Sequence, residues 1–317
     1  MRALLVVNPG ATATRQRGRD VLARALGSEM KVEVIETDGR GHAIELARDA
    51  RAAGTDLVVA LGGDGTVNEI VNGLLAEDVG DDTPMLAVVP GGAANVFSRS
   101  LGFSRDPIVA TGEILDALRA RRSRQVGLGQ AGPRWFLFNA GFGFDAEVVH
   151  RVERYRRDGR DASAGLYIRS ALAEFLAGTD RRRPAITMHP GDDGPSGAPA
   201  APGDPVEGLF FAIISNATPW TYAGSHPLTV APHADFDTGL DIFASRTMRS
   251  APMARWAAQT LRHTPRFRGR AAVSLHDVSR FRLTSDRPIG LQVDGDYLGQ
   301  QTSVGFTARP AAIRVVG

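Results

Sequence analysis

The sequence predicts a parallel α/β domain followed by a β-rich domain with an antiparallel sheet. Strand and helix patterns alternate through the first 124 residues, short strands separated by turn residues follow from residue 125, and glycine-rich turns end several early strands. Alternating strands and helices build parallel sheets, whereas runs of short strands build antiparallel sandwiches or barrels. We therefore expect an α/β domain at 1–124 and a β-rich domain at 125–317, whose C-terminal tail is free to pack back on the first domain.

Length and composition narrow the classes of protein. A chain of 317 residues is long enough for two domains, and 43% hydrophobic with 23% charged residues is typical of a globular protein. A formal net charge of +2 gives no electrostatic reason to expect a nucleic-acid partner. Cysteine is absent, which excludes disulfides and thiolate sites. The N-terminal apolar run is too short for a signal peptide, so we expect a cytoplasmic protein.

The first domain is predicted as an alternation of strands and helices. The strands are Arg2–Val7, Lys31–Glu36, Asp56–Leu61 and Met85–Val89. The helices are Gly18–Leu26, Gly41–Ala53, Val67–Leu75, Ala94–Leu101 and Asp106–Ala120. Such units favour crossover connections that cover both faces of a parallel sheet.

The second domain is predicted mainly from short strands with turn residues between them. These strands are Trp135–Asn139, Ala185–His189, Gly208–Ser215, Leu228–Ala231, Leu240–Ser245, Ala272–His276, Arg280–Ser285 and Leu291–Val293. Helical patterns interrupt them at Ala146–Arg157, Ala164–Ala177 and Ala251–Arg262. Residues 191–205 are almost entirely Gly, Pro, Ala and Asp, which predicts a surface loop.

The segment Gly62–Thr66, GGDGT, is the first candidate for chemistry. It follows a buried strand and precedes a helix, so it lies at the carboxyl edge of the predicted sheet, where α/β proteins bind ligands. Glycines let the backbone approach a ligand closely, and the first amides of the following helix favour a phosphate. Asp64 offers a carboxylate for Mg²⁺ or for a hydroxyl proton. The alternative is a tight turn with Thr66 as helix N-cap.

Three further segments end strands at the same predicted edge. Asn8-Pro9-Gly10 follows the first strand, Thr37-Asp38-Gly39 the second, and the segment 90–102, PGGAANVFSRSLG, the fourth. Several such loops on one edge favour a phosphate site over an isolated turn. The chain has no GxxxxGK[ST], no HRD or DFG, and no GxGxxG, which argues against P-loop enzymes, protein kinases and dinucleotide-binding dehydrogenases.

These segments together resemble the diacylglycerol kinase catalytic-domain family, which includes bacterial lipid kinases and sphingosine and ceramide kinases and is related to NAD kinases. The likeness rests on VNP at 7–9, GGDGTVNEIVNGL at 62–74, PGGAANVFSR at 90–99, NAGFGFDAEVV at 139–149, and three later segments at 215–224, 231–243 and 291–299. It implies an N-terminal domain that holds ATP, a C-terminal domain that helps to bind the lipid, and an active site in the cleft between them.

The resemblance also implies which residues contact ATP. They are Asn8, Pro9, Gly10, Thr37, Gly62, Gly63, Asp64, Gly65, Thr66, Asn68, Glu69, Gly91, Gly92 and Asn95. The family usually has threonine where this chain has Ala93, so that hydroxyl contact cannot form. We expect the backbone amides of Gly91 and Gly92 to serve instead.

A carboxylate in LQVDGDYLG, 291–299, is the implied general base. Read alone, Asp294-Gly295 predicts a hairpin turn. The family has a D-G-E motif here, and this chain has Asp296 in place of the glutamate, with the same proton chemistry on a shorter side chain. We expect Asp296 to be the base, with Asp64 coordinating Mg²⁺ or sharing that role as a second catalytic residue.

The loop DFDTGLDIF, 235–243, is the implied site of a structural Mg²⁺, with Asp235, Thr238 and Leu240 as candidate ligand positions. The family's usual second aspartate is Thr238, and an ordinary solvated turn is the alternative. A separate segment, HRVERYRRDGR at 150–160, carries Arg151, Arg154, Arg156 and Arg157 and suits either anionic lipid headgroups or a solvated helix face.

These observations predict an ATP- and Mg²⁺-dependent kinase of a lipid hydroxyl, with diacylglycerol as the first candidate acceptor. The partner would be a lipid at a membrane surface, with peripheral contact to its inner face, and a homodimer stays open. The alternatives are a sphingosine- or ceramide-type kinase, an NAD kinase, and a nucleotide-binding regulator without catalysis. Departures at Ala93, Thr238 and Asp296 motivate the last of these.

Overall fold

The computed structural model describes residues 1–11, 16–157, 164–178, 180–191 and 203–317. They form two compact units, one made of Met1–Gly127 with Ala311–Gly317 and the other of Leu128–Pro310. In the described ranges, no helix is both long enough and apolar enough to cross a bilayer.

The first unit is built on a parallel sheet. Its strands are β1 (Arg2–Val7), β2 (Lys31–Glu36), β3 (Leu57–Gly62) and β4 (Met85–Pro90), in the order β4-β3-β1-β2. Its helices are α1 (Gln16–Gly27), α2 (His42–Ala52), α3 (Asp64–Leu74), α4 (Val96–Ser100) and α5 (Pro107–Arg119). All six residues of β3 are buried, as expected of a central strand covered on both faces.

The packing of the helices follows from small and apolar residues. Leu22 of α1 and Ile114 of α5 join the apolar side chains of β1, β3 and β4 in one cluster. Helices α2 and α3 pack closely together. A Cβ on Gly73 of α3 would overlap the carbonyl of Ile44 in α2, so this close approach requires glycine.

The second unit is strand-rich and largely antiparallel. Its strands are β5 (Ser123–Ala131, which begins in the first unit), β6 (Arg134–Phe136), β7 (Asn139–Gly143), β8 (Ile186–Pro190), β9 (Val206–Leu209), β10 (Phe211–Ser215), β11 (Thr221–Ala223), β12 (His226–Leu228), β13 (Leu240–Ser245), β14 (Ala272–Val278), β15 (Arg280–Val293) and β16 (Asp296–Val316, which ends in the first unit). The main sheet runs β14-β13-β10-β7-β15-β16, with β8 also paired to β15, and β11–β12 form a separate hairpin.

The helices of the second unit are α6 (Phe144–Arg157), α7 (Ala164–Ala173), which continues as a π-helical turn at Glu174–Gly178, and α8 (Ser250–Gln259). An apolar cluster that includes Phe136, Phe142, Phe281 and Phe306 lies on the main sheet. A smaller cluster packs Trp256 of α8 against Phe211 and Phe243.

The predicted fold class is confirmed, and several element bounds differ from the prediction. Helix α3 begins at Asp64 rather than Val67, and the predicted strand Gly208–Ser215 is two strands interrupted at Phe210. The two predicted strands at 280–285 and 291–293 are one strand, β15, which continues through an irregularity between Thr284 and Ile289. Residues 229–231 are not in a strand, and 192–202 of the predicted loop lie outside the described residues.

Candidate functional site

The carboxyl edge of the first sheet brings several predicted nucleotide contacts together. Asn8 follows β1, and its Nδ2 donates to the Thr66 hydroxyl of α3 at 2.9 Å. Its side-chain Oδ1 accepts from the N–H of Gly10 at 3.0 Å, which folds the Asn8-Pro9-Gly10 turn back on itself. Thr37 follows β2, and its N–H donates to Val7 at 2.8 Å. Parallel strands ending at one edge are what place these residues on one side of the sheet.

Helix α3 presents its first turn at this edge. Its N-cap is Gly63, in an extended conformation and without a side-chain cap. Thr66 therefore lies in the first turn and is not the N-cap, and its hydroxyl is occupied by Asn8. The first amides of a helix have no acceptor inside that helix, so the N–H groups of Asp64, Gly65 and Thr66 are the donors this edge can offer to an anion.

Close backbone packing explains the presence of Gly63 and Gly92 but not that of Gly65. A Cβ on Gly92 would lie 2.6 Å from the Cα of Gly63, so the loops after β3 and β4 touch through their backbones. By contrast, a Cβ on Gly65 would meet nothing within 4 Å, and Gly65 is exposed in a helix turn. Glycine in a helix is less stable than alanine by about 0.5–1 kcal/mol, so the fold by itself would favour another residue at position 65.

Asp64 links the two loops. Its carboxylate accepts hydrogen bonds from the N–H of Val96 at 2.9 Å and of Phe97 at 3.0 Å, and so caps the first turn of α4. Desolvation raises the pKa of Asp64, while these amides and the nearby Arg99 guanidinium oppose the shift. A carboxylate has about four acceptor sites, so with the amides of Val96, Phe97 and Asn95 beside it the group can still serve a metal or a proton.

The loop after β4 uses its own amides. Gly91 donates its N–H to the carbonyl of Gly62 at 2.8 Å, and Gly92 donates to Asn95 Oδ1 at 2.8 Å. Asn95 Nδ2 returns a bond to the carbonyl of Gly92 at 2.8 Å, and Asn95 takes a left-handed conformation with φ 49°. Both amides expected to replace the missing threonine hydroxyl at Ala93 are thus engaged within the protein. The first amides of α3, by contrast, have no acceptor within their helix.

Asn68 and Glu69 lie further along α3 and have different surroundings. Asn68 is fully buried, and its Oδ1 accepts from Asn72 at 3.1 Å. Glu69 Oε1 accepts the N–H of Gly41 at 3.0 Å, where the backbone is left-handed at φ 89° and α2 begins. Glu69 therefore ties α2 to α3, and the nucleotide contacts of Asn68 and Glu69 stay a prediction.

In the second unit, the predicted hairpin at Asp294-Gly295 is present. Val293 pairs with Asp296, and φ is 47° at Asp294 and 84° at Gly295, the signs that a type I′ turn requires. The carboxylate of Asp294 is buried and accepts from three consecutive amides, those of Leu137, Phe138 and Asn139, at 2.7–3.1 Å. Asp296, the predicted base, is the first residue of β16 and is half-buried. The two aspartates of the motif therefore have different surroundings.

Asp145 and Gln292 form a buried pair that the sequence did not single out. Gln292 Nε2 donates to Asp145 Oδ2 at 2.7 Å and to Asn139 Oδ1 at 3.0 Å, and its Oε1 accepts the N–H of Gly295 at 2.9 Å. Burial raises the pKa of Asp145 to about 6, and the bond from Gln292 opposes that shift. The pair thus holds the turn that carries Asp296. An acidic residue inside the apolar NAGFGFDAEVV segment was the available signal.

The loop predicted to hold a structural metal forms a closed turn. Asp235 Oδ1 accepts the N–H of Asp237 at 3.0 Å, and the Thr238 hydroxyl donates to the carbonyl of Asp235 at 3.0 Å. Leu240 is buried at the start of β13. Over the described ranges, no group of three or more His, Asp or Glu side chains is arranged around a metal position. The metal role of these residues stays a prediction.

A cavity of about 310 Å³ lies in the second unit, beside α6, the π-helical turn and β15. Charged side chains on its wall include Glu147, Glu174, Arg183 and Arg287. Burial and the neighbouring Glu174 raise the pKa of Glu147. Arg151, one of the arginines predicted to face either lipid headgroups or solvent, pairs with Glu174 at 2.7 Å. The side chains of Arg156 and Arg157 lie outside the described residues.

Comparison with known proteins gives concordant results. Residues 2–131 match the family described as the diacylglycerol kinase catalytic domain. The chain is 32% identical over 153 residues to a protein of Bacillus subtilis (strain 168) named "Diacylglycerol kinase", a match covering 48% of each chain. It is 30% identical over 240 residues to a Pseudomonas aeruginosa PAO1 protein named "Probable lipid kinase YegS-like", covering 75% of this chain and 70% of that one.

A solved structure shares the fold. The crystal structure of a diacylglycerol kinase from Bacillus anthracis str. Sterne superposes with a TM-score of 0.69 at 17% identity, over 99% of this chain and 96% of that one. Three curated relatives, including the Bacillus subtilis protein, are matched over only about half of their length, at 48%, 45% and 50%. The Pseudomonas match spans more than two thirds of both proteins, and with the family match it shows that the chain belongs to the diacylglycerol kinase catalytic-domain family.

Proposed function

We propose that the protein is an ATP-dependent lipid kinase that transfers the γ-phosphate to a lipid hydroxyl, with diacylglycerol as the first candidate and phosphatidic acid as its product. The main support for ATP binding is the presence of glycine at position 65. The first turn of α3 has a glycine that packing and backbone conformation do not require, and open space lies over it. A phosphate approaching the amides of Asp64, Gly65 and Thr66 accounts for that glycine.

The residues of this edge fit ATP by their chemistry. Helix amides and the positive end of the helix dipole stabilise phosphate oxygens. Gly63 and Gly92 approach each other through their backbones, so neither places a side chain between the loops after β3 and β4. Mg²⁺, when bound with ATP, neutralises charge on the phosphates, and Asp64 is the carboxylate we assign to it. Lys31 is the only lysine and sits at the start of β2, so a P-loop type of lysine contact is not part of this proposal.

Asp296 is proposed as the general base. It accepts the proton of the lipid hydroxyl as the hydroxyl oxygen forms its bond to the γ-phosphorus, and the bond from that phosphorus to the β,γ-bridging oxygen breaks to release ADP. The turn that carries Asp296 is held by the bonds of Asp294 to three amides and of Gln292 to Gly295. A fixed turn keeps the carboxylate in one place, which is what proton transfer in phosphoryl transfer demands.

The experiment is transfer of labelled γ-phosphate from ATP to a panel of diacylglycerol, sphingosine, ceramide and NAD, with and without Mg²⁺. We expect label in diacylglycerol, dependent on Mg²⁺. Label in sphingosine or ceramide alone would keep the lipid-kinase class and change the acceptor. Label in NAD alone would replace the lipid assignment, and ATP binding without any transfer would favour the regulator.

A further inference from the structure

Residues 246–270 carry an unusual concentration of arginine. Seven arginines lie in this stretch of 25 residues, and no aspartate or glutamate occurs between Asp241 and Asp277. We call the set the arginine surface: Arg246, Arg249, Arg255, Arg262, Arg266, Arg268 and Arg270, all of which are exposed. The whole chain has a formal charge of only +2, so this stretch concentrates positive charge that is balanced elsewhere in the sequence.

These arginines differ from other arginines of the chain in their partners. Arg51 pairs with Asp82 at 2.7 Å, Arg119 with Glu29 at 2.7 Å, and Arg151 with Glu174 at 2.7 Å. Among the residues the structure describes, none of the seven members of the arginine surface forms an ion pair with a carboxylate. Unbalanced like charges repel one another across a surface, so a cluster of this kind suits an anionic partner.

Buried aromatic residues anchor residues 246–270 to the second unit. Trp256 of α8 is buried and meets Phe243 edge-on at 5.6 Å between ring centroids, and Phe267 lies 4.2 Å from Phe243. The guanidinium of Arg255 donates to the carbonyl of Arg268 at 2.9 Å, which joins α8 to the loop that follows it. The aromatic residues of the stretch thus point into the protein while the arginines point out.

Leu261 is an exposed large apolar side chain among the arginines. Leu261 is 56% exposed, directly before Arg262, and its carbonyl accepts from His226 Nε2 of the β11–β12 hairpin at 3.0 Å. A fixed, exposed leucine beside basic residues fits a membrane interface, where the leucine enters the acyl boundary and the arginines meet headgroups. Surfaces for single-stranded nucleic acid instead expose aromatic faces for base stacking, and here Trp256 and Phe267 are turned inward.

We propose that the arginine surface, with Leu261, docks the protein on a bilayer that contains anionic phospholipids. This deepens the proposed function, because a kinase of a bilayer lipid has to work at that interface. Each basic residue near an anionic membrane strengthens binding by about fivefold, and the attraction falls off over a Debye length of about 8 Å at physiological ionic strength. Binding is therefore sensitive both to the headgroup charge and to salt.

The test is co-sedimentation with phosphatidylcholine vesicles prepared with and without phosphatidylglycerol. The test variant is R249Q/R262Q/R266Q, which spares Arg255 because its guanidinium holds the loop. The matched control is R24Q/R48Q/R105Q, which removes the same charge from exposed positions of the first unit. Circular dichroism and thermal unfolding establish that both variants are folded.

We expect the wild type to bind only phosphatidylglycerol vesicles and to be released by salt. The test variant should lose roughly 125-fold in vesicle affinity, at about fivefold per arginine, and the control should stay within about twofold of wild type. Equal losses in test and control variants would overturn the proposal in favour of a general charge effect. Unchanged vesicle binding with lost binding of a single-stranded RNA oligonucleotide would overturn it in favour of nucleic acid.

A second measurement separates docking from catalysis. Phosphorylation of a short-chain diacylglycerol below its micellar concentration does not need a surface, so the test variant should keep wild-type turnover there. If the wild type bound vesicles through the arginine surface but phosphorylated no acceptor, the proposed function would fail while docking stood. If turnover were present and the test variant bound vesicles like the wild type, docking would fail while the function stood.

Discussion

The carboxylate of Asp64 accepts the N–H of Val96 at 2.9 Å, joining residues 32 positions apart in the chain. The bond ties the first turn of α3 to the first turn of α4, and the adjacent amide of Phe97 strengthens it at 3.0 Å. The aspartate of the GGDGT segment thus holds the two loops of the edge together, in addition to the catalytic role proposed for it. Its substitution should therefore affect both stability and chemistry.

Asp64→Asn should lower the free energy of unfolding of the first unit by about 1–3 kcal/mol as well as cut turnover severely. An amide can accept one of the two bonds, but its NH₂ then faces the N–H of the other. All three tryptophans, Trp135, Trp220 and Trp256, lie in the second unit, so far-ultraviolet circular dichroism is the better probe of the first. Asp49→Asn, exposed on α2, is the control; unchanged stability with lost turnover would reduce Asp64 to a chemical role.

Gly65→Ala should stabilise the free protein by about 0.5–1 kcal/mol and weaken ATP binding, because a methyl group is accommodated by the fold but occupies the approach to the α3 amides. Gly92→Ala is the contrasting variant, since its Cβ would lie 2.6 Å from Gly63 Cα and must disturb the loops themselves. Isothermal titration with ATP and thermal unfolding give the two readouts. Wild-type ATP affinity in Gly65→Ala would remove the main support for the nucleotide site.

Asp296→Asn should abolish most turnover while leaving the stability of the second unit unchanged, because a half-buried carboxylate at the start of β16 is assigned to proton transfer. Asp294→Asn should instead act mainly on stability. It weakens the acceptor of three buried amides and should lower the free energy of unfolding of the second unit by about 1–3 kcal/mol or more. Tryptophan fluorescence during urea unfolding measures the second unit. Near-normal activity of Asp296→Asn would leave Asp296 as a turn residue only.

Asp145 should make the second unit less stable as pH rises from about 4 to about 6. Its folded pKa of about 6 lies above the unfolded value, so both states are protonated at low pH, and between the two values only the unfolded state ionises. The loss amounts to about 3 kcal/mol and is complete above the folded pKa. Asp145→Asn should lack this pH-dependent loss of stability. The difference in unfolding free energy between the variant and the wild type, measured by urea unfolding, should therefore change between about pH 4 and about pH 6. A difference that is flat across that range would contradict the buried, protonatable carboxyl.

The sequence was sufficient where local pattern decides structure. The bounds of β1, β2 and β13 agree with the predicted strands, since apolar or alternating runs end there at turn residues. Long-range relationships were not accessible: Asp64 to Val96 and Asp294 to Leu137 span 32 and 157 positions. The prediction has two strands where the structure has one, since β15 continues through Pro288 and Gly290, residue types that are rare inside strands.

In the candidate site, too, local features could be predicted from the sequence and long-range contacts could not. Turn chemistry predicted the Asp294-Gly295 hairpin, and strand ends predicted the edge formed by Asn8, Thr37 and Gly62. Which amides stay available could not be predicted, because the bonds of Gly91 and Gly92 depend on how the two loops pack. The Asp145–Gln292 pair was missed for a related reason, since a bond across 147 positions leaves no local pattern.

Strand β16 has a consequence for biosynthesis. Its last part, Ala311–Gly317, belongs to the first unit, where Val315 pairs with Leu86 of β4 and Ile313 and Val316 are buried. The parallel sheet of that unit therefore stays one strand short on the ribosome until Ala311–Gly317 has been translated. At about 5–20 residues per second, the segment after Gly127 takes about 10–40 s to complete. During that interval the edge of β4 is open, and nascent chains should depend on chaperones that cover it until Ala311–Gly317 emerges.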